Sequence, residues 1–317
     1  MTDFDSDSHL IAEGHDWMKA GHTVGIARVI ATWGSAPRPV GSFMIVRDDG
    51  LFMGSVSGGC VEGVVLGECE ALARGETGPK IMSFGVTADD AFSTGLTCGG
   101  TIEISIEQWT IEFIESITQS ITNRKQITLS TNLETLITSV TGNGPPASHK
   151  TDTHFIHVIS PPFRLFIVGA VHVAQSLAPI ALSLGYTVML IDPRCAFATQ
   201  ERFPDVTISH DWPDEALNGA GLDQSSALVT LTHDPKLDDV ALEVALKSDA
   251  FYIGSLGSRK TQAARKERLA ESGYDTTALA RIHGPVGLPV GAVSPSEIAV
   301  CIMAEITAVR RLGRTIG

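Results

Sequence analysis

Arg164-Leu165-Phe166-Ile167-Val168-Gly169-Ala170-Val171-His172-Val173-Ala174 is the stretch that decides the fold. Leu165 to Val168 form a short, continuous apolar run with the length and branching of a buried strand. Gly169 stands where the chain must turn sharply, and an apolar stretch then runs as a helix to Leu184. A second strand, residues 187–191, ends in Asp192. Strand, glycine turn, helix, strand and an acid roughly 20 residues on compose a dinucleotide fingerprint. In this reading Gly169 makes the tight turn and the helix start at His172 offers free N–H groups to a phosphate. Asp192 accepts from a ribose hydroxyl. One position departs, because Val171 stands where the fingerprint has its second glycine. A side chain there obstructs close backbone approach to a pyrophosphate. A Rossmann-like sheet that binds no dinucleotide therefore stays open as an alternative. Arg194, in Asp192-Pro193-Arg194, also has two readings: a phosphate ligand, or a partner for Asp192 itself.

Toward the C-terminus, strands are expected at 206–209, 227–231 and 250–253, each followed by a helix. Alternating βα units of this length imply a parallel, doubly wound sheet. Residues 294–311 form a closing helix, with Ser294 as cap, Pro295 in the first turn and Glu297 as an acidic start. Ligands of such sheets gather at the carboxyl ends of the strands. Two polar clusters lie there: Thr232-His233-Asp234-Pro235-Lys236, and Gly254-Ser255-Leu256-Gly257-Ser258-Arg259-Lys260-Thr261. His233, Asp234, Ser258, Arg259 and Lys260 are the candidate ligand contacts. Arg265 to Arg268 read as a solvated helix face. The pattern G-x-x-x-x-G-K-[ST] is absent, so this is no Walker loop.

Toward the N-terminus, the expected elements are a helix over 9–20 and a strand over 24–32. A hairpin joins 42–47 to 51–55 around Asp48-Asp49-Gly50. Further strands fall at 80–84 and 101–107, the latter with Ile102, Ile104 and Ile106 on one face, and a helix at 111–121. The segment TGNGPPASHK, residues 141–150, has linker composition, and Ser160-Pro161-Pro162 makes a second break. The fold class is thus α/β: a Rossmann-like doubly wound parallel sheet over 161–317, preceded by a smaller mixed α+β domain over 1–160.

Ser57-Gly58-Gly59-Cys60-Val61-Glu62 precedes an apolar helix. Successive N–H groups at such a start form an anion nest, and a thiol there is held more readily as thiolate. Cys98-Gly99-Gly100 is a second turn of the same kind. Cys60 and Cys98 have a functional reading as soft ligands in one cleft and a bland one as small buried apolar groups.

Composition excludes several classes. A formal net charge of −13 disfavours nucleic acid and anionic membrane as partners. No stretch of ~20 apolar residues occurs, and the start of the chain is acidic and polar, so a cytoplasmic protein is expected. Five cysteines, with no C-x-x-C or H-E-x-x-H, suit neither a disulfide framework nor structural zinc. No nucleophile–base pair can be assembled, so no catalytic residue is assigned.

Taken together these segments resemble the XdhC/CoxI family. The resemblance rests on Gly34-Ser35-Ala36-Pro37-Arg38-Pro39-Val40-Gly41, Gly54-Ser55-Val56-Ser57-Gly58-Gly59-Cys60-Val61-Glu62 and Asp192-Pro193-Arg194. Glu201-Arg202-Phe203-Pro204, the His233 and Ser258 clusters, Ile282-His283-Gly284-Pro285-Val286-Gly287-Leu288 and the Ser294 helix start continue it. The resemblance implies a chaperone that binds molybdenum cofactor as cargo and inserts it into a molybdenum hydroxylase such as xanthine dehydrogenase. It also implies cofactor sulfuration with a cysteine desulfurase. Cys60 matches the family's Ser-Gly-Gly-Cys position and becomes the candidate molybdenum ligand; Ser57, Gly58, Gly59, Glu62 and Cys98 are the other cofactor-binding candidates of this half, and whether Cys98 shares a site with Cys60 stays open. In the other half Gly169, His172, Asp192, Arg194, His233, Asp234, Ser258, Arg259 and Lys260 are the cofactor-binding candidates. Homo-oligomerisation is expected and a bound nucleotide is left open. The family's usual Gly-Ala-Gly-His-Val-Ala is Gly-Ala-Val-His-Val-Ala here, and Thr97 stands where a small residue is usual. The competing readings are an NAD(P)-dependent oxidoreductase and an adaptor without a small-molecule ligand.

Overall fold

A computed structural model describes residues 7–34, 38–59, 61–85, 100–141 and 147–313. The chain divides into two compact units, one ending at Pro161 and the other beginning at Pro162.

The first unit opens with α1 (Asp7–Lys19), followed by β1 (Val24–Trp33), β2 (Phe43–Arg47) and β3 (Phe52–Gly54). Then come α2 (Glu62–Ala73), β4 (Lys80–Phe84), β5 (Thr101–Gln108) and α3 (Ile111–Thr122). The five strands make an antiparallel sheet in the order β3-β2-β1-β5-β4. Helices cover both faces. Leu10, Ile11, Ile26, Phe43, Ile45 and Ile114 form one core, on the side of α1 and α3. Val29, Met44, Val65, Ile102, Ile104 and Ile106 form the other, on the side of α2.

Covering both faces leaves the second half of β5 little solvent side. Opposite the isoleucines, Ser105 and Glu107 are buried too. Glu107 is charged, so it needs a partner. Arg28 of β1 supplies one, donating from Nε to Glu107 Oε1 at 2.9 Å, while Trp109 Nε1 donates to Oε2 at 3.1 Å.

A second sheet goes beyond the elements expected from sequence. β6 (Ile127–Asn132), β7 (Thr138–Thr141), β8 (His149–Lys150) and β9 (His154–Ile159) pair in the order β7-β6-β9-β8. The linker expectation for 141–150 is corrected at its ends, since Thr141, His149 and Lys150 are strand residues. Residues 142–146 lie outside the described ones. Composition misleads here because Ser and Thr serve turns and strand surfaces equally.

The second unit alternates strand and helix: β10 (Arg164–Val168), α4 (His172–Ser183), β11 (Thr187–Ile191), β12 (Thr207–Ser209) and α5 (Pro213–Ala220). β13 (Ser226–Thr230), α6 (Pro235–Leu246), β14 (Tyr252–Ser255), α7 (Arg259–Glu271), α8 (Thr276–Ala280), β15 (Ile282–His283) and α9 (Pro295–Leu312) complete it. All six strands run parallel in the order β12-β11-β10-β13-β14-β15. Renumbered within the unit this is 3-2-1-4-5-6, the Rossmann order. Alternate residues of β10 feed opposite cores: Leu165 and Ile167 pack with α4 and α9, Phe166 and Val168 with α5 and α6. That is why the run reads as continuously apolar. Ser294 and Glu297 close a full capping box on α9. Among the described residues, no helix is long and apolar enough to cross a membrane.

Candidate functional site

The crevice of a Rossmann sheet opens where strands one and four diverge, here at the carboxyl ends of β10 and β13. Gly169 occupies the turn after β10 with φ +110°. A Cβ there would lie 2.5 Å from Thr232 Cγ2, so the glycine permits both the turn and the approach of the β13–α6 loop. Val171 is the N-cap of α4 in an extended conformation and packs partly against the apolar core. His172, the first helical residue, is exposed.

Asp192 is fully buried at the end of β11. Its Oδ1 accepts from Arg194 N–H at 3.0 Å and Arg194 Nε at 2.8 Å. Its Oδ2 accepts from Ala170 N–H and Arg194 Nη2, both at 2.8 Å. Burial alone would raise the carboxyl pKa, but the Arg194 guanidinium and these amides hold it below the usual carboxylate range. Two oxygens with two donors each have no capacity left for a ribose hydroxyl. Of the two readings of Arg194, the structure has the pairing with Asp192.

The loop after β13 is organised by Asp238 of α6, which is fully buried. It accepts from Thr232 Oγ1 at 2.6 Å, Thr232 N–H at 3.2 Å and His233 N–H at 3.0 Å. His233 is held with φ +63°, a conformation that needs such fixing. The His233 and Asp234 side chains lie on the exposed rim, and Asp234 caps α6 through Lys236 N–H at 3.0 Å.

Arg265 corrects the solvated-face expectation. It is buried, with Nη2 at 3.0 Å from Asp238 Oδ2 and Nη1 donating to Gln262 at 2.9 Å. Gln262 in turn donates to the Ser255 carbonyl at 2.8 Å. One side chain of α7 thus ties together the loops after β13 and β14. Arg268, one turn on, is partly exposed and pairs with Asp239 at 2.6 Å. Sequence spacing does not separate these two arginines. The signal present in the sequence is Asp238, an acid on the apolar face with Leu237, Ala241 and Leu242.

Ser258 caps α7, accepting from Thr261 N–H at 3.2 Å. Arg259 and Lys260 follow as its exposed first residues.

In the first unit the Ser57-Gly58-Gly59 turn does hold an anion, and that anion is Glu62. Its carboxylate accepts from Ser57 N–H at 2.8 Å, Gly59 N–H at 2.7 Å and Ser55 Oγ at 2.7 Å, and from Ser57 Oγ. Gly58 N–H is engaged as well, by Ser55 Oγ at 3.0 Å. Burial opposes the charge, but these donors bring the Glu62 pKa down to about 2. The anion nest expected at this turn is thus filled from within the chain. Cys60 and Cys98 lie outside the described residues. Among the described residues, no group of three or more His, Cys, Asp or Glu is placed to hold a metal ion.

Two family models match the chain: the XdhC and CoxI family over residues 17–85, and the XdhC Rossmann domain over residues 165–306. A relative from Bacillus subtilis (strain 168), named as a probable xanthine dehydrogenase subunit, is 28% identical, across 90% of this chain and 93% of that protein. The molybdenum cofactor insertion chaperone PaoD of Escherichia coli (strain K12) is 27% identical, across 92% of this chain and 85% of that protein. A solved structure described as a xanthine dehydrogenase from Bacillus halodurans superposes with a TM-score of 0.76, at 24% identity, covering 97% of this chain and 96% of that one. The last likeness speaks to the fold.

Proposed function

This chain belongs to the XdhC and CoxI family, and from that premise we propose that it is a maturation chaperone. It binds molybdenum cofactor as cargo, protects it during sulfuration, and inserts it into a molybdenum hydroxylase of the xanthine dehydrogenase kind. The observation that carries this reading is the near full-length match to a relative named as a molybdenum cofactor insertion chaperone. A cysteine desulfurase is the sulfur-donating partner in this proposal, and the protein acts in the cytoplasm as a homo-oligomer. The role of Cys60 as molybdenum ligand belongs to the same proposal and rests on the family motif.

The exposed pair Arg259 and Lys260 supports anion recognition in the second unit, because each presents a cation without burying it. The oxidoreductase reading has less behind it. Asp192 has no acceptor capacity left for a ribose, and Val171 caps the helix a pyrophosphate would approach.

The test is anaerobic purification from a host that makes the cofactor, with molybdenum and pterin counted per chain. Transfer to a cofactor-free client hydroxylase is then followed by recovered activity. Bound pterin together with client activation is expected. A chain that holds neither pterin nor molybdenum and activates no client would overturn the proposal.

A further inference from the structure

The second unit carries a pocket of about 430 Å³ beside the carboxyl end of β14. It lies between the loop after β15 and α9, with the start of α7 in its wall. Leu256, Val286, Leu288 and Ile298 supply apolar sides. Two ionic side chains of opposite sign line it, Arg259 and Glu305. Arg259 is exposed and Glu305 is buried, so the cation is toward solvent and the carboxylate in the wall.

The Glu305 carboxylate is held in place by the fold. Its Oε2 accepts from Tyr252 Oη at 2.6 Å and from Gly287 N–H at 2.7 Å, which fills that oxygen. Among the described residues, the polar partner of its Oε1 is the His283 ring, with Nδ1 at 3.3 Å. His283 is itself stacked on Tyr252, centroids 4.6 Å apart. One acceptor position on Oε1 thus remains. Burial works against ionisation, yet His283, Tyr252 and the Gly287 amide keep Glu305 below the usual carboxylate range, so it is charged at neutral pH. No ion pair joins Arg259 to Glu305 among the described residues. A cation and an anion in one cavity that do not neutralise each other suit a ligand that is anionic at one end and an N–H donor at the other. The volume lies in the range of small-molecule sites and suits a bicyclic ring with a short phosphorylated arm.

We propose that this pocket binds a phosphorylated nitrogen heterocycle, with the phosphate on Arg259 and a ring N–H or amino group on Glu305. The choice of a pterin as that heterocycle rests on the carrier reading; a guanine mononucleotide presents the same donor chemistry. Gly169, Val171, Asp192 and Thr232 are not among the residues that line this pocket.

The experiment titrates the purified full chain, anaerobically, with dihydroneopterin monophosphate, with its dephosphorylated form, and with guanosine monophosphate. Wild type is compared with Arg259→Ala, a change at an exposed residue, and with Ala292→Phe, which fills the pocket from its loop wall. The pterin monophosphate is expected to bind. Arg259→Ala should weaken it about tenfold or more, the scale of a charge-assisted hydrogen bond, and leave the dephosphorylated form unaffected. Ala292→Phe should abolish binding of both forms. Tighter binding of guanosine monophosphate with the same dependence on both variants upholds the site and assigns it to a nucleotide. Unchanged affinities in both variants, or no binding of either heterocycle, would overturn the proposal. Full molybdenum cofactor loading of Ala292→Phe would remove the pterin assignment of the pocket and leave the carrier reading standing. Pterin phosphate binding by a chain that carries no molybdenum cofactor would do the reverse.

Discussion

Arg265 on α7 reaches Asp238 on α6, Nη2 to Oδ2 at 3.0 Å, with both side chains buried. Removing the arginine leaves a buried carboxylate with backbone and hydroxyl donors but no counter-charge. Arg265→Met is expected to destabilise the second unit by about 3–5 kcal/mol. Arg268→Ala, which deletes a partly exposed ion pair, should cost under about 1 kcal/mol. Urea unfolding of both variants makes the comparison. Equal midpoints would mean that the Asp238–Arg265 link contributes nothing special.

Because four donors saturate Asp192, dinucleotide binding is expected to be absent or weaker than micromolar. Val171→Gly alone should not restore it, since the acid remains occupied. The double variant Val171→Gly, Arg194→Ala vacates two of the four acceptor positions as well as the pyrophosphate approach. It should bind NAD(P) better than either single variant in calorimetric titration. Micromolar NAD(P) binding by the wild type would contradict the saturation of Asp192.

Glu62 gives the first unit an acid-sensitive component. Its pKa, about 2 in the fold, lies below that of the unfolded chain, near 4.3. A depressed carboxylate stabilises fully above its unfolded pKa and loses that contribution as pH falls through the folded one. The stability gap between wild type and Glu62→Gln should therefore be widest above about pH 5 and close between roughly pH 4 and 2. Thermal melts across that range test this, and a gap constant with pH would count against it.

Two cysteine substitutions should part company. Cys69 is fully buried in α2, where burial, with Glu68 adding to it, pushes its thiol up to about 12. Cys69→Ser puts a hydroxyl into that apolar site and should cost about 1–3 kcal/mol, with unchanged molybdenum per folded chain. Cys60→Ser should fold with an unchanged transition and co-purify with several-fold less molybdenum. If Cys60→Ser retains full loading, the proposed ligand role of Cys60 is wrong.

The Rossmann sheet is legible in the sequence because buried parallel strands are apolar on both sides and alternate with helices. Residues 164–168, 187–191 and 80–84 fall as strands where their patterns put them. The β6–β9 sheet is not legible, since Thr128, Ser130 and Thr131 carry the same residue types as a loop. Fingerprint residues are found by position, but whether they are free is a matter of hydrogen-bond capacity, and spacing does not record that. Asp192 and Glu62 both stand out in the sequence, and both prove to be satisfied by their own neighbours. Arg265 and Glu305 do not stand out, because a charged residue with a buried partner looks, in one dimension, like a charged residue in water.

The carboxylate seated in the Ser57-Gly58-Gly59 turn already occupies the Ser57 and Gly59 amides. An incoming anion gains the Ser57 and Gly59 amides only by evicting Glu62, so the net driving force is the difference between two similar sets of bonds. An anion entering this turn would compete with a carboxylate covalently tethered three residues from Gly59.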